Sequence, residues 1–196
     1  KVIRMDVDTT RAKDSHEKLY NAFKKGEGDI LIGTQMISKG LDFPNVTLVG
    51  ILAADMSINI PDYRSAERTF QLITQVAGRA GRGVKEGKVV IQTYTPEHYS
   101  LQYAKNYDYE GFYEKEFTVR ALMNYPPFGK ILLINGTSKD ENMLKDFMNN
   151  IANSISILLK DYNGIELLGP IACMISKIKE NFRWQIVLKG EFDLKF

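Results

Sequence analysis

Apolar residues fall into two patterns along this chain: short unbroken runs, and longer stretches where they recur every three or four positions. The runs Val2–Met5, 29–34, 46–52 and 88–94 predict strands, and their continuity, in place of strict alternation, predicts a parallel sheet buried on both faces. Between them, Asp14-Ser15-x-Glu17 supplies helix-capping chemistry before Leu19, Tyr20 and Phe23, and Gly26-Glu27-Gly28 ends that helix. A longer helix is predicted over 62–80, with Ala66, Phe70, Ile73 and Ala77 on one stripe. Strands alternating with helices define an α/β class with helices on both faces of the sheet.

The pattern changes after Pro96. Tyr103, Tyr107, Tyr109, Phe112, Tyr113 and Phe117 are interleaved with charges and predict one or two packing helices, and Tyr125-Pro126-Pro127-Phe128-Gly129 marks a boundary. Beyond it come a strand over 131–135, a long helix over 142–162 and two strands, 172–178 and 182–189, joined by a turn at Glu180-Asn181. The helix carries a stripe of Leu144, Phe147, Met148, Ile151, Ile155, Leu158 and Tyr162. The expected organisation is an α/β domain over 1–124 followed by a small α+β domain over 125–196, cut short before a fourth covering element.

Composition narrows the functional classes. The 196 residues are 44% hydrophobic and 26% charged, the balance of a globular protein with a sizeable core. The net charge is only +2, split as fourteen basic to twelve acidic residues over 1–100 and twelve of each over the rest, so an anionic partner must be met by placed residues. One cysteine, Cys173, excludes an internal disulfide and every multi-cysteine zinc spacing, and His16 and His98 read as surface or capping groups. The longest apolar run, 48–54, is far short of the roughly 20 residues of a membrane span. No membrane partner and a reducing, cytoplasmic location are expected. The opening on Lys1 with a strand already under way reads as a piece of a longer protein.

Two segments carry candidate chemistry. In Gln75-Val76-Ala77-Gly78-Arg79-Ala80-Gly81-Arg82-Gly83, Arg79 and Arg82 lie three residues apart, on one face, where a helix runs into a glycine-rich turn. Guanidinium groups bind phosphate oxygens with fork geometry and can stabilise charge developing on a transferred phosphoryl group. A solvent-facing pair at a helix C-terminus, favoured by the helix dipole, is the alternative. The second segment, 33–44, is a polar loop directly after a buried strand, where ligands bind in open α/β sheets. There Thr34, Gln35, Ser38 and Lys39 can meet a nucleic-acid backbone and Gly40 and Asp42 a nucleotide; a plain capped turn is the alternative. Leu48–Asp55, an apolar strand ending in Asp, has the outline of a magnesium-binding strand but reads as an ordinary strand end. In the last hairpin, alternating Phe182, Trp184, Ile186 and Leu188 face the core while Arg183 and Gln185 face out, and Lys179 and Arg183 are candidates for DNA contact.

These residues resemble a family. The Arg79/Arg82 and Thr34–Asp42 segments look like motifs VI and V of superfamily 2 helicases. The ordered string of Asp8-Thr9-Thr10, Gly33-Thr34-Gln35-Met36, Lys39–Pro44, Pro61–Arg68, Gln75–Arg82 and Tyr125–Phe128 is similar to the primosomal replication-restart helicases. The resemblance implies a second RecA-like motor lobe with the start of a C-terminal domain, from an ATP-dependent 3′ to 5′ DNA helicase that reassembles replication machinery at stalled forks. It implies that Arg79 and Arg82 reach an ATP, with its Mg2+, held mainly by a first lobe, supported by Gln75. Thr34 would hold the DNA backbone, while Gly40 and Asp42 couple DNA to nucleotide. DNA, single-strand binding protein and other primosome proteins are the implied partners.

The chain also departs from that pattern. It has no G-x-x-x-x-G-K-[ST] loop and none of the cysteine pairs of the family's zinc module, so the fragment alone is expected to be inactive. A lobe of another superfamily 2 translocase, or a non-catalytic DNA- or protein-binding module, is the alternative reading.

Overall fold

The computed structural model describes residues 1–6, 8–10, 15–34, 37, 43–78, 80 and 86–192. They form two compact units, Lys1–Phe112 and Tyr113–Phe196. The first contains strands β1 (Val2–Met5), β2 (Ile30–Gly33), β3 (Leu48–Ile51) and β4 (Lys88–Ile91). Its helices are α1 (Ser15–Lys24), α2 (Asp55–Ile58), α3 (Ser65–Ala77), α4 (Tyr99–Lys105) and the start of α5 (Tyr109–Leu122). The division falls inside α5, ahead of the 124/125 boundary expected from the proline pair.

Strands β1 and β2 pair in parallel, Val2 opposite Ile30 through Met5 opposite Gly33, and β3 pairs in parallel with β4 from Leu48–Lys88 to Ile51–Ile91. The α/β class follows. Among the described residues the strands form two two-stranded ladders, and each is covered on one face. Ile3 and Met5 turn inward, where Met5 and Phe43 form a core with Leu19, Tyr20 and Phe23 of and around α1. On the other face Val2, Ile30 and Ile32 stay more than half exposed. Continuous apolar runs satisfy the pattern for two-sided burial, but the described helices supply only one side.

Helix α3 follows its stripe: Ala66, Phe70, Ile73 and Ala77 are all buried. Phe70 and Ile73 pack with Ala54, Leu101, Ala104 and Phe112, and the Phe70 and Phe112 rings stack at 4.3 Å between centroids. The aromatic segment is therefore two helices whose inward residues roof α3. Its outward tyrosines, Tyr107 and Tyr109, remain exposed. His98 caps α4, its Nδ1 accepting from the Ser100 backbone N–H at 3.3 Å.

The second unit is a β-α-β-β arrangement of β5 (Lys130–Ser138), α6 (Glu141–Leu158) with a following 3-10 turn (Leu159–Asp161), β6 (Ile165–Ile178) and β7 (Asn181–Gly190). The sheet order is β5-β7-β6, antiparallel throughout. Asp140 caps α6 by accepting from the Met143 N–H at 3.0 Å. Leu144, Met148 and Ala152 bury against Ile186, with Ile134, Phe182 and Trp184 packed around them. Phe147, Leu158 and Tyr162, expected on the buried stripe, are about two-thirds exposed: a single sheet face covers a narrower arc than the seven-residue stripe. Strand β6 begins seven residues earlier than its apolar run suggests, because pairing to β7 carries it through Gly169-Pro170 and two register shifts. The hairpin turn is Lys179-Glu180, one residue ahead of expectation, with both residues at positive φ.

One glycine is fixed by close packing. A Cβ on Gly33 would stand 2.3 Å from the Met5 carbonyl oxygen and 2.7 Å from Ile37 Cγ2. Gly33→Ala is expected to destabilise the first unit by about 1–3 kcal/mol through overpacking against backbone. Met148→Ala should cost about 2–5 kcal/mol in the second. Urea denaturation of each variant checks both.

Candidate nucleic-acid and nucleotide interface

Because β1 and β2 are parallel, their carboxyl ends lie side by side and bring the turn after β1 next to Thr34. That turn closes on Asp6. The Asp6 N–H donates to Thr9 Oγ1 at 2.8 Å while the Thr9 N–H donates to Asp6 Oδ1 at 3.0 Å, a reciprocal capping pair, and the Thr10 hydroxyl donates to the Asp6 carbonyl at 2.6 Å. The Thr9 N–H, with help from Arg4, holds the Asp6 carboxyl below its ordinary range. Thr9 and Thr10 of the Asp8-Thr9-Thr10 block thus hold the turn in shape. Thr34 itself is exposed, and its carbonyl accepts from the Ile37 N–H at 3.1 Å, which starts the loop. Gln35, Lys39, Gly40 and Asp42 lie outside the described residues.

Gln75 is exposed on the last turns of α3, on the side away from Phe70, Ile73 and Ala77. The helix ends with the Gly78 N–H on the Thr74 carbonyl. Arg79 and Arg82 lie outside the described residues. In the second unit, Lys179 is exposed in the hairpin turn. Arg183 sits opposite Thr137 on β5 and donates from Nη1 to the Ile175 carbonyl at 3.4 Å, so the hairpin's irregular stretch draws on the same guanidinium proposed for DNA.

Two acidic groups have roles that motif reading did not assign. Asp55 accepts from Thr93 Oγ1 and Thr95 Oγ1, both at 2.8 Å, and from the Tyr94 N–H at 3.1 Å. Its carboxylate therefore clasps the chain leaving β4 to the chain leaving β3, consistent with the strand-end reading over the magnesium-binding one. Desolvation raises its pKa, but these hydrogen bonds outweigh that and bring it to about 2. Asp62 accepts from the Arg64 N–H and Nε at 2.9 and 3.0 Å, from Arg64 Nη2 at 2.9 Å and from Arg68 Nη1 at 2.9 Å. The Arg64 side chain is the leading cause of a pKa of about 2 there too. The Asp62 signal was present in the sequence as an acidic residue three places before Ser65, with arginines at helical spacing. The partners of Asp55 lie some forty residues away and were not legible. Among the described residues no group of three His, Cys, Asp or Glu side chains is placed to hold a metal ion, and no helix is long and apolar enough to cross a membrane.

Residues 2–84 match the helicase conserved C-terminal domain, and residues 121–193 match the primosomal protein N C-terminal domain. The chain is 54% identical over 96% of its length to the replication restart protein PriA of Bacillus subtilis, 46% identical over 95% to that of Synechocystis, and 41% identical over 98% to that of Chlamydia pneumoniae. Over nearly its whole length the chain is similar to these replication restart proteins. The chain spans 22 to 25% of the length of these three relatives.

The Asp55 clasp has a pH signature. A carboxyl whose pKa falls on folding stabilises the native state above its unfolded value near 3.9, and that contribution is lost as pH falls towards about 2. Asp55→Asn should lower the melting temperature at neutral pH and reduce the slope of stability against pH between about 4 and 2, read by thermal denaturation in a pH series.

Proposed function

We propose that this chain is the second RecA-like lobe and part of the C-terminal domain of an ATP-dependent 3′ to 5′ DNA helicase that restarts replication at stalled forks through primosome assembly. The observation that carries this reading is the succession, in one chain, of a helicase C-terminal domain and a primosomal C-terminal domain. The second domain favours a restart helicase over a branch-migration or repair translocase.

On this reading the lobe supplies groups to a site completed by the first lobe. Gln75 stands on the exposed side of α3, and Arg79 and Arg82 follow it in the sequence by four and seven positions. Their part is to contact nucleotide phosphates and stabilise charge in the transition state. ATP with Mg2+ would supply the phosphoryl group whose hydrolysis drives movement. Thr34 and Lys39 would touch the DNA backbone without base preference, as a translocating motor requires. Gly40 and Asp42 would link that contact to the nucleotide, and Lys179 and Arg183 would extend the DNA surface in the C-terminal domain. Single-strand binding protein and other primosome components are the proposed protein partners, with zinc held elsewhere in the full-length protein. The proposed setting is the cytoplasm, at the nucleoid.

Three outcomes follow. The isolated chain, lacking a phosphate-cradling loop, should show no DNA-stimulated ATP hydrolysis. In the complete helicase, Arg82→Ala should reduce kcat by about a thousandfold or more while leaving nucleotide binding nearly intact, since the group acts on transition-state charge. Equal losses in both, from steady-state kinetics and nucleotide titration, would restrict the arginine to ground-state binding. Lys39→Gln should flatten the salt dependence of DNA affinity by about one phosphate contact.

A further inference from the structure

We infer that Arg64 and Arg68, held together on Asp62 at the start of α3, form a phosphate-binding cradle. The inference rests on the reading of this chain as a DNA-contacting helicase lobe and adds a contact outside the two motif loops.

The two guanidiniums converge on one carboxylate. Arg64 donates to Asp62 through Nε and Nη2, and Arg68 reaches the same Oδ2 through Nη1, at 2.9 Å. The two cations share this one carboxylate, and Glu67 is a second negative charge near Arg64. A guanidinium carries five N–H donors, of which Asp62 takes two from Arg64 and one from Arg68. Both side chains are about half exposed, at 47% and 49%, so donor groups remain open to solvent.

The position adds to this. Arg64 stands at the cap of a 13-residue helix, and its side chain makes no capping bond there, so the positive end of the helix dipole lies beside the pair. Its guanidinium also lies 5.2 Å from the centroid of the Tyr63 ring, which further fixes its plane. Glu67, on the first turn between the two arginines, accepts from the Gln71 side chain at 3.0 Å and places a negative charge within electrostatic reach of Arg64. Held in this way, the arginines can meet a phosphate oxygen with little further loss of side-chain freedom. The ligand class is a phosphate group, from a nucleic-acid backbone or from a nucleotide.

The test uses the chain itself and labelled oligothymidylate, titrated over a salt series, with Arg64→Gln, Arg68→Gln and the double variant. Each single change should reduce the slope of log affinity against log salt by about one phosphate contact, and the double change by about two. Arg68→Lys, which keeps the charge and loses the fork, should restore most of the slope. Melting temperatures identify any variant that has lost its fold, and Arg68→Lys then carries the comparison. A parallel ADP titration separates the sources: ADP binding lost on Arg64→Gln with an unchanged DNA slope assigns the cradle to nucleotide phosphate. Wild-type binding with neither effect overturns the cradle and leaves the helicase reading intact. No binding of oligothymidylate or ADP by the wild-type chain overturns the cradle and also removes the support that DNA contact lends to the lobe.

Discussion

Burial of one face of α3 is the constraint on which the first unit depends. Phe70 and Ile73 enter a core shared with Ala54 at the start of α2 and with Leu101, Ala104 and Phe112 from α4 and α5. Packing at this density leaves little rotational freedom to the helix. With Ala66, Phe70, Ile73 and Ala77 turned inward, Gln75 is turned outward, and the helix ends at Gly78. The outward placement of Gln75 is thus set by apolar packing that takes no part in the proposed chemistry.

Polar groups at the strand and helix ends serve a related purpose. Asp6, Asp55 and Asp62 are spent on backbone N–H groups, threonine hydroxyls and guanidiniums, closing turns that would otherwise leave donors unpaired. This accounts for carboxylates near strand ends without assigning them to metal or proton transfer. It also fits a lobe with no phosphate-cradling loop, whose proposed contribution is cationic and positional.

The second unit is built differently. A long antiparallel sheet with one helix across it presents alternate residues to solvent, so Ile186 is fully buried while its neighbours on β7 turn away. Lys189 shows how far packing can draw in a charge. It is 8% exposed, donates to Glu166 at 2.8 Å and lies 4.9 Å from the Tyr125 ring centroid, which joins the Tyr-Pro-Pro-Phe connection to the sheet.

Periodicity by itself determined much of this protein. The strands of the first unit, the buried stripe of α3, the β-α-β-β order of the second unit and the inward alternation of Ile186 follow from spacings of two or of three to four residues, which are local properties of the backbone. The motif strings likewise place Thr34 at a strand end and Gln75 on a helix. Other features depend on partners distant in sequence. Asp55 is a clasp only because β4 runs parallel to β3 and delivers Thr93 and Thr95 to it, Gly33 is required only because β1 passes within reach of its missing Cβ, and Phe147 is exposed only because one sheet face is too narrow for the whole stripe. Those are properties of tertiary contact, where the pairing register and the available covering surface decide which of several locally permitted arrangements is kept.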